Sequence, residues 1–356
     1  MNKTATKAKY PTLRTAEDFV ARGLTSTENT KNIKAVGEKY AIAMTSNFVD
    51  AIADTHPDDP VLRQFLPSIE ELQTTPEELD DPIGDHPNTP VKGIVHRHKD
   101  RVLLKIVSVC PVYCRFCFRR EMIGPDKDNM LRPEEVDAAL DYIASHPEIW
   151  EVILTGGDPM MLSPKRAKDL TKRLESISHV KVIRWHTRIP VAQPEKVTDE
   201  YVSAITSHTK SVYVALHSNH ANEFTPAAKS ACARLVNAGI PMISQTVLLK
   251  GINDNLEALS ALMRTFVENR IRPYYLHHPD FAPGTSHFRV SVQQGQKLMD
   301  GLRNTLSGLC TPTYVVDIPG GVSKAIVTPS DARFADEKLE LRGQDGKWRA
   351  YPPQRD

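Results

Sequence analysis

The sequence predicts an α/β protein, a partial (β/α)6 TIM-like barrel with an N-terminal helical extension and a short C-terminal extension. Three observations support this. From Arg101 onward, short apolar runs alternate six times with longer runs whose apolar residues recur at helical spacing. Such a series builds a parallel sheet with helices laid over it. Second, polar or glycine-rich segments follow nearly every strand at its C-terminal end: a cysteine-rich loop, TGGDP, HTRIP, HSNH, HHPDFAPGTSHF and DIPGG. In a closed or partly closed barrel these segments share one rim, where active sites form. An open doubly wound sheet would also place its ligands beyond the strand C-termini. Third, residues 1–95 lack this alternation. They read as a helical arm followed by an acidic, proline-rich linker or packed segment, TTPEELDDPIGDHPNTP.

In order, the arm offers helical pieces in AVGEKYAIAMTSNFVDAI. The core, 96–325, opens with a strand at VLLKIVSV (102–109), then the cysteine loop and a helix over 133–146. Pro133 suits a first helical turn, and Val136, Leu140 and Ile143 share a face. Strands at 151–155, 180–186, 211–217, 241–249 and 271–277 follow, with helices over 164–177, 197–207, 226–238, 254–269 and 291–307. A last strand, TYVVD (313–317), runs into IPGG, and residues 326–356 form the C-terminal extension.

Composition excludes several functions. The formal net charge of +1 gives no field for nucleic acid or an anionic membrane. No apolar run reaches the length of a membrane span, and the N-terminus lacks the apolar centre of a secretory signal. A cytoplasmic setting is expected, where thiols stay reduced. Yet Cys110, Cys114 and Cys117 crowd into VSVCPVYCRFCFRRE. A structural zinc site wants four ligands, usually as two pairs, and Cys232 and Cys310 stand apart on helical patterns. Three thiolates suit a [4Fe–4S] cluster with one iron left open to a small molecule. Tyr113, Phe116 and Phe118 are expected to shield the sulfurs.

This C-x3-C-x2-C loop, placed after a first barrel strand and followed by TGGDP, resembles the radical S-adenosylmethionine superfamily. The resemblance narrows to the lysine 2,3-aminomutase family through HRHKDRVLLKIVSVCPVYCRFCFRRE, ILTGGDP, LHSNHANE, QTVLLKGIND, RPYYLHHPDFAPGTSHFR and VVDIPGGVSK, from about Asp81 to about Pro329. It implies a [4Fe–4S] cluster on Cys110, Cys114 and Cys117, with S-adenosylmethionine on its open iron. It further implies pyridoxal 5′-phosphate on Lys324, near Arg97, and radical 1,2-amino migration from L-lysine to β-lysine. Gly156, Gly157 and Asp158 match the loop that meets the methionine amino group. Arg119 matches the clamp on the substrate carboxylate, and Asp280 and Asp317 the pair that binds the side-chain ammonium. His186, His217 and Gln245 are expected to line the S-adenosylmethionine or cofactor pocket. A lone histidine at a strand end is more often structural, and a lone aspartate more often a cap or turn residue.

The sequence departs from the resemblance in one respect. No cysteine follows Cys310, and Asn255 stands where relatives carry a zinc-binding cysteine, so no zinc is expected. Expected partners are a small amino acid, a reductant protein such as flavodoxin or ferredoxin, and a second copy of the chain as dimer or tetramer, with residues 1–90 a natural interface. Neither nucleic acid nor membrane is expected. Alternatives are an aminomutase for another amino acid such as glutamate, β-lysine supply for elongation factor P, and a non-enzymatic iron–sulfur carrier or sensor.

Overall fold

The arm joins the barrel's own hydrophobic core, contributing the buried side chains of Phe19, Met44, Phe48 and Phe65. The computed structural model describes residues 11–53, 56–124, 128–335, 338–343 and 346–351, so the first ten residues of the arm and the last five of the chain lie outside it. The arm carries three short helices, α1 (Ala16–Ala21), α2 (Thr30–Gly37) and α3 (Ser46–Ala51). The helical pieces expected within 35–52 are separated by an extended stretch, because Met44 exchanges backbone hydrogen bonds with Leu13. Phe48 and Phe65 stack with centroids 4.4 Å apart.

The central sheet has nine strands in sequence order. Strand β1 (Ile94–His98) runs antiparallel to β2 (Arg101–Val107). From β2 the sheet continues in parallel through β3 (Glu151–Gly156), β4 (Val182–Thr187), β5 (Ser211–His217), β6 (Met242–Val247), β7 (Ile271–His277) and β8 (Thr313–Asp317). Strand β9 (Lys324–Ile326) returns antiparallel on β8. Because β1 and β9 are the two ends of this order, the barrel is partial. The six expected strand–helix units are present, with β8 as a seventh parallel strand. Strands β1 and β9 carry no pattern that sequence could show: one lies in the polar HRHKD run, and the other is only three residues long.

The outer layer is α4 (Pro133–Ala144), α5 (Pro164–Glu175), the short α6 (Ile189–Ala192), α7 (Asp199–Ile205), α8 (Pro226–Asn237), α9 (Leu256–Glu268) and α10 (Val292–Thr305). Side-chain caps start most of them. Ser163, Thr198, Thr225, Asn255 and Ser291 each accept a backbone N–H from the first turn, satisfying donors that have no helical partner. Asn255 thus serves as the N-cap of α9. Residues alternate along each strand between the two faces. Val102, Leu104 and Ile106 of β2, and Val212, Val214 and Leu216 of β5, belong to the core shared with the helices. The opposite face carries Lys105, Thr155, Arg184, His186, His217, Gln245, His277 and Asp317, an unusually polar barrel lumen. At its floor Arg184 pairs with Glu151 at 3.0 Å.

The described residues of the C-terminal extension include three strands. Strands β10 (Ala332–Ala335), β11 (Lys338–Arg342) and β12 (Trp348–Tyr351) form a separate antiparallel sheet, tied to α10 by Arg342 on Asp300 at 2.9 Å. No helix among the described residues is long and apolar enough to cross a membrane.

One buried carboxylate fastens the arm to the cysteine loop. Glu71, fully buried in a 3-10 turn, accepts from Arg115 Nε at 3.0 Å and Nη2 at 2.5 Å, and from Arg120 Nη2. Burial alone would push its carboxyl up, but the two guanidiniums hold it below the usual carboxylate range. Removing one partner of a buried ion pair leaves uncompensated charge, so Glu71→Ala should cost about 3–5 kcal/mol. Denaturant unfolding of oxygen-free protein measures this, and a loss under 1 kcal/mol (roughly that of an exposed pair) would show that the clamp is not structural.

Candidate active site

The cysteine loop leaves β2 and is held by the arm. Tyr113 N–H donates to the Ala43 carbonyl at 3.1 Å and Arg115 N–H to the Gln64 carbonyl at 2.9 Å. Arg115 Nη1 reaches the Ala41 carbonyl at 2.8 Å. Cys110, Cys114 and Cys117 are free thiols, partly buried in this frame. Burial pushes all three up, Cys117 to about 11, and each of Cys110 and Cys117 is raised further by a neighbouring cysteine. Three crowded thiols that resist ionisation make a poor resting arrangement for a protein and a good one for cations, which deprotonate coordinating thiols outright. Among the described residues no three His, Cys, Asp or Glu side chains close on a single ion. A cubane cluster asks instead for one thiolate per iron, which this donor set fits. Of the expected shielding aromatics, Tyr113 packs against Cys110 and Cys117. Phe116 joins a different apolar cluster with Phe288, and Phe118 lies under the Arg119 guanidinium.

The glycine loop after β3 presses against the start of the cysteine loop. A Cβ on Gly157 would sit 2.3 Å from the Val109 carbonyl oxygen, and one on Gly156, at φ 111°, 2.3 Å from that of Val107. The N–H groups of Gly157 and Asp158 donate to these same carbonyls at 2.6 and 2.9 Å. Asp158, expected to bind a cofactor, has both carboxylate oxygens engaged by the protein. Its Oδ1 accepts from Thr187 Oγ1 at 2.7 Å and Met160 N–H at 3.0 Å, and its Oδ2 from Arg188 N–H at 2.7 Å. Its role is to join the ends of β3 and β4.

Across the lumen the strand ends bring further groups together. Lys324 Nζ donates to both oxygens of Asp317 at 2.6 Å. His277 Nδ1 lies 3.7 Å from Asp317 Oδ2, and its Nε2 contacts Gln245 Oε1. Burial would raise Asp317, but His277 and Lys324 hold it well below the usual range. Asp280, on the loop after β7, is pushed up to about 7 by burial and then by the like charge of Asp317. His217 is driven down to about 3 and His186 well below its usual value, both by burial first, so these rings are neutral. Their centroids are 5.6 Å apart, and the buried His186 Nε2 has no partner among the described residues.

Arg97 donates from Nη1 to the Ile83 carbonyl at 2.5 Å, beside the glycine turn that precedes Lys324. A Cβ on Gly321 would meet Ile83 O at 2.8 Å and Arg97 Cδ at 2.9 Å. Arg119 donates from Nε to the buried Asp85 at 3.1 Å, and Lys105 lies 3.6 Å from the same carboxylate. Sequence reading singled out neither His277, Asp85, Lys105 nor Arg188. His277 stands within the quoted RPYYLHHPD stretch, but Asp85 sits in the segment read as a possible linker. Only pairing across the fold reveals its work.

Residues 104–263 match the family model described as the Radical SAM superfamily. With three cysteines on the loop after the first parallel strand, this defines the class: an enzyme that uses a [4Fe–4S] cluster and S-adenosylmethionine. The chain is 37% identical over 325 residues to the L-lysine 2,3-aminomutase of Acetoanaerobium sticklandii, covering 91% of this chain and 78% of that one. The L-lysine 2,3-aminomutase of Clostridium subterminale is 36% identical with the same coverage. A glutamate 2,3-aminomutase of Clostridioides difficile is 34% identical over 88% of this chain and 74% of its own. The chain belongs to the lysine 2,3-aminomutase family, and is thus an isomerase of the 2,3-aminomutase type whose family cofactors are the cluster, S-adenosylmethionine and pyridoxal phosphate.

The contact between the two loops is testable. Gly157→Ala forces its methyl into the Val109 carbonyl and displaces the strand end leading to Cys110. Iron bound per chain after anaerobic reconstitution should fall by half or more, while Gly308→Ala, where a Cβ meets nothing within 4 Å and the backbone is not left-handed, should leave it unchanged.

Proposed function

We propose that the protein moves the α-amino group of L-lysine to its β-carbon, giving β-lysine. One observation carries this choice of substrate. Asp280 and Asp317 face the same part of the rim closely enough for one charge to raise the other's pKa, and an ammonium group would relieve that repulsion. The opposite end of a lysine finds cations: Arg119 has one edge fixed by Asp85, and Lys105 offsets the charge of Asp85, leaving a net positive end for the α-carboxylate. A glutamate side chain would bring a second carboxylate to the two aspartates, which is the physical argument against that reading.

Lys324 is the residue that would hold pyridoxal phosphate, aimed by its paired bonds to Asp317. Arg97 and the glycine turn at 320–321 lie together where a phosphate could be bound. When bound, the cluster with S-adenosylmethionine supplies a radical and pyridoxal phosphate a carrier for the migrating nitrogen. The residues' own task is to orient and to neutralise. Pyridoxal phosphate held on Lys324 would draw Nζ away from Asp317 and leave that carboxylate, still beside His277, available to a substrate ammonium. Gln245 then fixes His277, which keeps Asp317 in place from the other side. The neutral His186 and His217 add polar contacts without adding charge. An electron must come from outside, and a flavodoxin or ferredoxin is the expected donor.

Anaerobic incubation with reductant, S-adenosylmethionine and each of lysine, glutamate and arginine should yield a β-amino acid from lysine alone. Turnover of glutamate in its place would reverse the assignment. Borohydride treatment of cofactor-loaded protein should attach the pyridoxyl group to Lys324, and labelling elsewhere would remove Lys324 from its role.

Asp280 gives a pH signature. Below about 7 it is protonated and offers no charge, and above that value it is ionised, so kcat/KM for lysine should rise as pH passes through about 7. Asp280→Asn should abolish that limb. A charged hydrogen bond contributes about 1.5–3 kcal/mol, so kcat/KM should drop roughly 10- to 100-fold. Reductive cleavage of S-adenosylmethionine should persist. An unaltered acid limb in the variant would exclude Asp280 as the clamp.

A further inference from the structure

Arg188, in the segment after β4, makes contacts that the family reaction does not account for. Its side chain is 7% exposed. Nη1 donates to Cys114 Sγ at 3.3 Å, and Nη2 to Gln64 Oε1 at 2.6 Å and Glu223 Oε2 at 2.8 Å. Nε is buried without a partner among the described residues. The rings of Phe48, Phe65 and Phe116 surround the guanidinium, with centroids 5.5, 5.1 and 5.7 Å away. Glu223 is fixed in turn, accepting the N–H groups of Asn219 at 2.8 Å and His220 at 3.0 Å and the Gln64 amide at 3.1 Å. A charged donor is therefore pinned on one cysteine sulfur in a dry pocket, with its counter-charge on the far side.

We propose that Arg188 is a positioning residue that sets the reduction potential of the cluster. On one-electron reduction the cluster gains a negative charge, and no bond forms or breaks. A hydrogen bond and a positive charge at Cys114 Sγ stabilise that reduced state more than the oxidised one. Water is excluded, so the interaction is screened little. An arginine serves here because its guanidinium cannot lose its proton in a protein. Glu223 opposes the effect by neutralising part of the charge. The arm takes part through Gln64, which makes residues outside the barrel a determinant of how readily the cluster accepts an electron. This inference rests on assigning Cys110, Cys114 and Cys117 to a [4Fe–4S] cluster.

The test is an EPR-monitored redox titration of full-length, reconstituted protein without S-adenosylmethionine, using dithionite or titanium citrate as reductant. Arg188→Met should disfavour reduction at least tenfold, a shift of about 59 mV to more negative potential for a one-electron couple. Arg188→Lys, which keeps the charge but not the planar donor, should recover part of it. Glu223→Gln should shift the potential the opposite way. A fully iron-loaded Arg188→Met cluster at the wild-type potential overturns the proposal, as do Met and Gln variants that move in the same direction. If Arg188→Met assembles no cluster, the Glu223→Gln shift decides: a positive shift supports the proposal, and none or a negative one overturns it. A wild-type chain that binds no cluster would remove the cysteine assignment itself, and this inference with it.

Discussion

Three cysteines that could bind iron only as thiolates share one short, buried loop, and the architecture around them holds that loop in place from several sides. Burial raises each thiol, and neighbouring cysteines raise Cys110 and Cys117 further. Such a loop has no reason to stay compact unless the fold holds it. The arm supplies backbone acceptors at Ala41, Ala43 and Gln64, and the buried Glu71 grips two arginines within the loop. The glycine loop presses from the β3 side and Arg188 from the β4 side. The cysteine loop is thus held jointly by arm and barrel.

Beyond the cluster, the lumen is electrically graded. Arg119 and Lys105 gather near β2, with one shared carboxylate. Asp280 and Asp317 gather near β7 and β8, with Lys324 as the cation of the resting state. Between them stand imidazoles that burial keeps neutral. On the proposed function, such a gradient would orient an amino acid with a charge at each end, and orientation is what a migration between adjacent carbons requires of a protein.

The buried ion pairs of Glu71, Glu223 and Asp85 are costly devices, since desolvating two charges often offsets their attraction. Glu71 and Glu223 have additional hydrogen bonds, whereas the Asp85 carboxylate meets only Arg119 and Lys105 and its Oδ1 has no partner among the described residues; all three join segments distant in sequence. Their use is geometric. An apolar contact could give comparable stability, but it would not fix a guanidinium against a sulfur.

How much of this was legible depended on range. The parallel strands and their helices follow from local periodicity, and β5, β7 and β8 fall at the expected residues. The cysteine loop was legible because its ligands lie within a few residues of one another. Lys324, Arg119, Asp280 and Asp317 were reached through resemblance, since a lone lysine or aspartate carries no local signal. The sequence by itself determined the alternation, and with it the rim on which these groups lie. Only tertiary structure decided that Asp158 is engaged by β4, that Asp317 holds Lys324, that the acidic segment places Asp85 under Arg119, and that Arg188 reaches Cys114. The physical reason is that burial and ion pairing join residues from seven to more than a hundred positions apart, and neither is written in the residue types of either partner's neighbours.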